Sequence, residues 1–147
     1  TLFRSHFIDG NKSHVYANLN ADDSTQNIEY NILPLWINQK IKGRSINDLS
    51  YQKTFNYFQH KNLRIAQIGN NKLQKFKATN KLKVNYLILS NNTEFNIQDL
   101  QDYFDFEQVI FDSSNSYYKI SRWKKECDDL KIKSYSISDQ GAYVKYL

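Results

Sequence analysis

Apolar and polar positions along the chain form short alternating runs, one continuous apolar run and one helical stripe. The continuous run is Val84 to Thr93, VNYLILSNNT. Its apolar part (Val84, Tyr86, Leu87, Ile88, Leu89) predicts a buried strand that passes into a polar loop, Ser90-Asn91-Asn92-Thr93. A helical stretch follows, with Ile97, Leu100, Tyr103 and Phe104 on one face. Alternating runs predict two hairpins. One joins 2–8 to 13–19 around Asp9-Gly10-Asn11-Lys12, where Asp-Gly supplies the positive φ of a tight turn; the other joins 54–59 to 63–68 around His60-Lys61-Asn62 and ends at Gly69-Asn70-Asn71.

Between the hairpins, Asp22, Asp23 and Ser24 offer caps for a helix from Thr25 to Leu33 that Pro34 interrupts. The stretch 25–42 reads as a kinked helix or as a short helix followed by a strand, and 43–53 as a loop. Gln108 to Phe111 predicts a strand. The clearest helix spans 116–130, with Ile120, Trp123, Cys127 and Leu130 as its buried stripe and the pairs Arg122–Glu126 and Lys125–Asp129 outside. Lys131 to Ile137 and Ala142 to Leu147 predict two last strands around the turn Ser138-Asp139-Gln140-Gly141. From residue 54 the order β-β-β-α-β-α-β-β predicts an α/β chain of the α+β mixed-sheet kind, with helices packed on the sheet.

Length and composition narrow this picture. At 147 residues a single domain, 1–147, is expected, and 15% aromatic residues supply its core. Four Gly and one Pro leave no room for long flexible linkers. No apolar run reaches the length of a membrane span, and no signal peptide opens the chain. The chain begins at Thr1 and contains no Met, so a fragment of a longer protein is expected. The single cysteine, Cys127, excludes an internal disulfide and falls on the apolar helix face, where a buried thiol is expected rather than a nucleophile. His6 and His14 are placed to face each other across the first hairpin, but they lack a third ligand at metal-binding spacing.

The charge of +5 favours weak attraction to polyanions. Lys72, Lys75, Lys77, Lys81 and Lys83, interleaved with Leu73, Phe76 and Leu82, form either a phosphate-binding surface or a solvated connection. In α/β sheets chemistry gathers beyond the carboxyl ends of strands. What stands after the 84–89 strand is a pair of amides, Asn91 and Asn92, which are neither zinc ligands nor general bases. After the next strand Asp112-Ser113-Ser114-Asn115-Ser116 can cap a helix or hold an anion on its free N–H groups.

Gln67-Ile68-Gly69-Asn70, VNYLILSNN, VIFDSSNSYYKISRWKKECDDL and SDQGAYV together resemble the metallo-β-lactamase-like domain at the end of ComEC-type proteins, inner-membrane channels that admit DNA in natural competence. The resemblance covers about 54–147, the metallo-β-lactamase-like C-terminal half. Residues 1–53, with the first hairpin, correspond to a shortened N-terminal half. In metal-binding members the first motif is Leu-Thr-Gly-Asp and the second Gly-His-His-Gly. Here Asn70 stands for the ligand aspartate, and Asn91 and Asn92 for the two histidines. The closing turn is kept as Ser138-Asp139-Gln140-Gly141-Ala142-Tyr143, and no His-x-His-x-Asp-His motif occurs. The resemblance therefore implies a kept fold without metal chemistry, no cofactor, and a soluble domain facing the periplasm.

Three functions compete. A non-catalytic domain that contacts incoming single-stranded DNA, or packs on the channel portion of its parent, would use Asn70, Asn91, Asn92, Ser113 and Asn115. Lys119 and Arg122 would meet phosphates, and Tyr117 and Tyr118 would stack on bases. A metal-dependent hydrolase or nuclease would need a relocated site such as Asp112 with Asp139. A module for protein interaction alone is the third. No small-molecule substrate is indicated.

Overall fold

The structure is a computed structural model and describes residues 4–17, 33–48 and 54–146. The chain divides into two compact units, Leu2–Ser50 and Tyr51–Leu147.

In the smaller unit β1 (Arg4–Asp9) and β2 (Lys12–Ala17) form the expected hairpin, with Gly10 at φ 58° in its turn. The register pairs His6 with Val15 and His14 with Phe7, so the two histidines do not face each other as expected. A helix over 33–38, here α1, crosses over to β3 (Gly43–Asp48), which lies parallel to β2. The loop expected over 43–53 is thus a strand as far as Asp48. Its GRSIND sequence has little apolar alternation, and the ladder to β2 supplies what side-chain pattern does not. Pro34, expected to interrupt a helix, is itself helical within the described stretch 33–38. The helix predicted from Thr25 lies, apart from Leu33, outside the described residues. Trp36 is buried and its indole N–H donates to Ser13 Oγ at 2.9 Å.

The larger unit holds one five-stranded sheet, in the order β4 (Asn56–His60), β5 (Leu63–Ile68), β6 (Leu82–Leu89), β7 (Phe104–Phe111), β8 (Lys133–Ser136). β4 and β5 are the expected antiparallel hairpin, and from β5 to β8 every pairing is parallel. A 3-10 turn, Lys72–Lys75, lies between β5 and β6. Helices α2 (Ile97–Leu100) and α3 (Tyr117–Asp129) make the next two crossovers. Ile97 and Leu100 of α2 and Ile120, Trp123 and Cys127 of α3 join Ala66, Ile68, Leu87, Leu89, Val109 and Phe111 in one core. Trp123 stacks on Phe111 with ring centroids 5.5 Å apart.

The helix expected to carry Tyr103 and Phe104 stops at Leu100, and Phe104 instead opens β7, paired with Leu82. Leu130, assigned to the buried stripe of α3, is the exposed cap residue. Arg122 and Glu126 pair at 3.2 Å, whereas Lys125 and Asp129 are exposed and form no ion pair among the described residues. Both α1 and α3 end with a lysine in the left-handed region, Lys40 at φ 52° and Lys131 at φ 57°. The next residue's N–H reaches back to an apolar residue near the helix end, Ile41 to Trp36 O (2.9 Å) and Ile132 to Cys127 O (2.8 Å). This is the Schellman closure that glycine usually serves. It delays β8 to Lys133. The strand expected over 142–147 has no ladder among the described residues. A four-residue helix, α4 (Ile137–Gln140), precedes that segment, and Tyr143 packs edge-on against Tyr86 and Tyr135.

Candidate functional site

The parallel strands β5, β6 and β7 end level with one another, Ile68 beside Leu89 and Leu89 beside Phe111. The residue after each apolar end is small or polar: Gly69, Ser90 and Asp112. A buried chain of hydrogen bonds crosses these ends. Asn56 Nδ2 donates to Gln67 Oε1 (2.7 Å), Gln67 Nε2 to Ser90 Oγ (2.9 Å), and Ser90 Oγ to Asp112 Oδ2 (2.5 Å). Asp112 Oδ1 accepts from the Ser114 amide at 2.9 Å and from the Ser114 hydroxyl. Every donor in this chain points toward one carboxyl. Burial raises the Asp112 pKa above its ordinary value, against the hydrogen bonds from Ser114 and Ser90, which lower it.

The asparagines sew the loops to one another. Asn91 and Asn92 both adopt the left-handed conformation, φ 56° and 52°, which Asn tolerates better than other side chains bearing Cβ. The Asn91 amide N–H donates to Ser114 Oγ (2.7 Å) and that of Asn92 to Asn115 Oδ1 (2.9 Å). Asn92 Oδ1 in turn accepts from the Ser116 amide (2.7 Å). Asn115 Nδ2 donates to Leu89 O at 2.7 Å and to Asp112 O at 3.1 Å. Asn70 Oδ1 accepts from the Lys72 amide (2.9 Å), and Asn71 Oδ1 from that of Glu94 (2.7 Å). Ser113 lies exposed between these loops.

Ser116 caps α3, and the next two residues, Tyr117 and Tyr118, stand 79% and 77% exposed. Lys119 does not share that exposure. It is buried, its Nζ lies 3.0 Å from Glu94 Oε2, and it sits 5.8 Å from the centre of the Trp123 ring. Arg122 Nη2 donates to Phe95 O at 3.2 Å, and its Nε is 3.2 Å from Glu126 Oε1 at an angle that makes an ion pair without a hydrogen bond. Burial, with the Glu126 and Asp128 charges, pushes the Cys127 thiol up to about 12. Asp139 is exposed and bound to Lys124 Nζ at 2.5 Å, which holds its pKa low.

Asn70, Asn91, Asn92 and Asn115 therefore come together, as the sequence reading expected, with Ser113 beside them. Their polar groups are engaged with backbone, and the two cations expected on phosphates are engaged with carboxylates. Ser90 and Ser114 belong to the two polar loops already singled out, whereas Gln67 and Glu94 join the site without having been expected there. The available signal was a polar residue set into or directly after an apolar strand, as in Gln67 between Ala66 and Ile68. Among the described residues no three His, Cys, Asp or Glu side chains converge where a metal ion could bind. With amide oxygens at 70 and 92 already accepting backbone N–H groups, these residues do not fit a zinc ligand set.

Among the described residues no helix is long and apolar enough to cross a membrane. No curated protein and no solved structure matches the chain. A family model, that of the ComEC C-terminal domain, matches residues 4–147. The chain thus belongs to the ComEC C-terminal domain family, whose parents are inner-membrane proteins of competence DNA uptake.

Proposed function

We propose that this domain serves DNA uptake without catalysing a reaction, by contacting the incoming single strand on the periplasmic side. One observation carries the reading: the side-chain amides of Asn70, Asn92 and Asn115 bond to loop backbone, and Asn91 holds a left-handed turn beside them. A hydrolytic site needs an open ligand set and an activated water. The metallo-β-lactamase-like resemblance would place those ligands at 70, 91 and 92, where side chains are built into the loops. The engagement of Asp112 with Ser90 and Ser114, and of Asp139 with Lys124, supports this reading over a relocated metal pair. Contact with the strand is supported by Tyr117 and Tyr118, adjacent exposed rings at the start of α3, since bases stack on such rings with little regard to sequence.

Binding of labelled single-stranded DNA at two salt concentrations, with magnesium, manganese or zinc in parallel, tests the reading. The expected result is salt-sensitive binding that leaves the strand intact, weakened roughly tenfold by Tyr117→Ala with Tyr118→Ala. Metal-dependent cleavage would overturn the non-catalytic part. Absence of binding would leave a scaffold docked on its own channel.

A further inference from the structure

The amino ends of β6 and β7, opposite the strand-end loops, carry a different surface. Two clefts meet there, sharing Asn80 and Phe104 as walls. One, about 370 Å³, is lined chiefly by apolar side chains including Phe55, Phe76 and Tyr103. The other, about 490 Å³, is lined by Lys81, Lys83 and Asp105 among others. Phe55 and Phe104 meet edge-on at 5.4 Å, which fixes the floor, and Phe76 stands 56% exposed at the rim.

The segment along this rim accounts for the charge of the chain. Residues 72–83 contain five lysines and no acid, so the rest of the chain, with fifteen basic and fifteen acidic residues, is neutral. Lys75, Lys77, Lys81 and Lys83 are exposed, and among the described residues none lies within ion-pair distance of a carboxylate. On α3, by contrast, Lys119, Arg122 and Lys124 all have acidic partners. The segment is anchored at two points. Leu73 is buried within the 3-10 turn, and the Tyr103 hydroxyl donates to Phe76 O at 2.9 Å.

Four cations without an acidic partner among the described residues, beside an open aromatic cleft, call for a ligand that repeats negative charge and carries flat apolar rings. A single-stranded nucleic acid has both: phosphates for the lysines and unstacked bases for the cleft. A duplex keeps its bases stacked inside. An anionic bilayer would meet the lysines, but it favours aromatic side chains that protrude, whereas Phe55 and Phe104 line a concavity. We propose that this rim and cleft bind single-stranded nucleic acid, with phosphates on Lys75, Lys77, Lys81 and Lys83 and a base packed on Phe76 over Phe104. The proposal rests on the DNA-contact reading above for the class of partner, and gives it a second contact at the other end of the sheet. Asp105 is the repulsive element in the cleft.

The test uses the 147-residue chain with a fluorescent oligothymidylate over a salt series, and with phosphatidylglycerol vesicles in parallel. Thermal melting checks that each variant is folded. Changing the four lysines to glutamine is expected to lower the slope of log affinity against log salt by roughly 3, about 0.7 for each phosphate contact. Phe76→Ala is expected to weaken binding roughly tenfold. Asp105→Asn is expected to tighten it. If the lysine variant binds like the wild type while Tyr117→Ala with Tyr118→Ala loses binding, this proposal falls and the contact at α3 stands. Should the wild type bind no oligonucleotide, both fall. Lysine-dependent binding to vesicles in place of the oligonucleotide would overturn the proposal in favour of a membrane surface.

Discussion

The two ends of β6 and β7 show opposite uses of polar residues. At the carboxyl ends, Ser90, Asn91, Asn92, Asp112, Ser114 and Asn115 bond to one another and to backbone across the loops. At the amino ends, lysines and aromatic rings stand around an open cleft, and the charges have no acidic partner among the described residues. A polar group already engaged inside the fold is released to a ligand only at the cost of leaving its partner unsatisfied. An exposed, unpaired cation gives up only its hydration. The amide-rich end should therefore govern stability and the lysine-rich end binding.

The largest expected effect lies at the closed end. Asp112→Ala strands Ser90 Oγ, the Ser114 hydroxyl and the Ser114 amide, and should lower unfolding free energy by about 3 kcal/mol in urea titration. A loss within experimental error would break the comparison, since the network would then be ornament on a stable loop. Asn115→Ala removes the bridge from the loop after β7 to Leu89 O and Asn92 N, and should cost about 2 kcal/mol by the same measurement.

The pH dependence sharpens the same point. The folded Asp112 pKa is raised by burial above the ordinary 3.8, so the chain binds this proton more tightly folded than unfolded. The associated stability is full below the unfolded value and is lost as pH rises through the folded value. Wild-type stability measured relative to Asp112→Asn should accordingly fall as pH rises from about 4. A rise instead would mean that the converging donors outweigh desolvation and favour the carboxylate.

Smaller effects separate backbone shape from side-chain bonding. Asn91 holds φ 56°, and its side chain makes one long bond, 3.4 Å to Gly69 O. Asn91→Ala should cost about 1 kcal/mol for a left-handed alanine, and Asn91→Gly should stay within about 0.5 kcal/mol of wild type. Equal losses would put the value of Asn91 in its amide. Least of all, glutamine at Lys75, Lys77, Lys81 and Lys83 should shift stability by no more than about 0.5 kcal/mol per site. A larger loss would place the lysines within the stabilising structure and erase the contrast between the ends.

The sequence by itself determined the elements whose signal is local. The two hairpins, with Gly10 and Lys61 at their turns, the apolar strand 84–89 and the Ile120–Trp123–Cys127 stripe follow from alternation, turn chemistry and helical spacing. The asparagines at the strand ends were legible as a cluster, because each follows an apolar run. Tertiary structure decided the rest, because backbone pairing is non-local. Gly43–Asp48 becomes a strand through its ladder to β2, not through its side chains. Phe104, expected on a helix face, and the residues up to Glu107 join β7 because Leu82 to Val84 stand opposite Phe104 to Phe106. Residues 142–146 carry strand-like side chains without a ladder among the described residues. The same holds for the site. Composition supplies amides and lysines, but only the fold gives the amides backbone partners and leaves the lysines of 75–83 without an acidic partner among the described residues. That difference depends on which groups come within hydrogen-bond distance, and residues such as Asn92 and Ser116, or Lys119 and Glu94, meet only when the crossovers have closed.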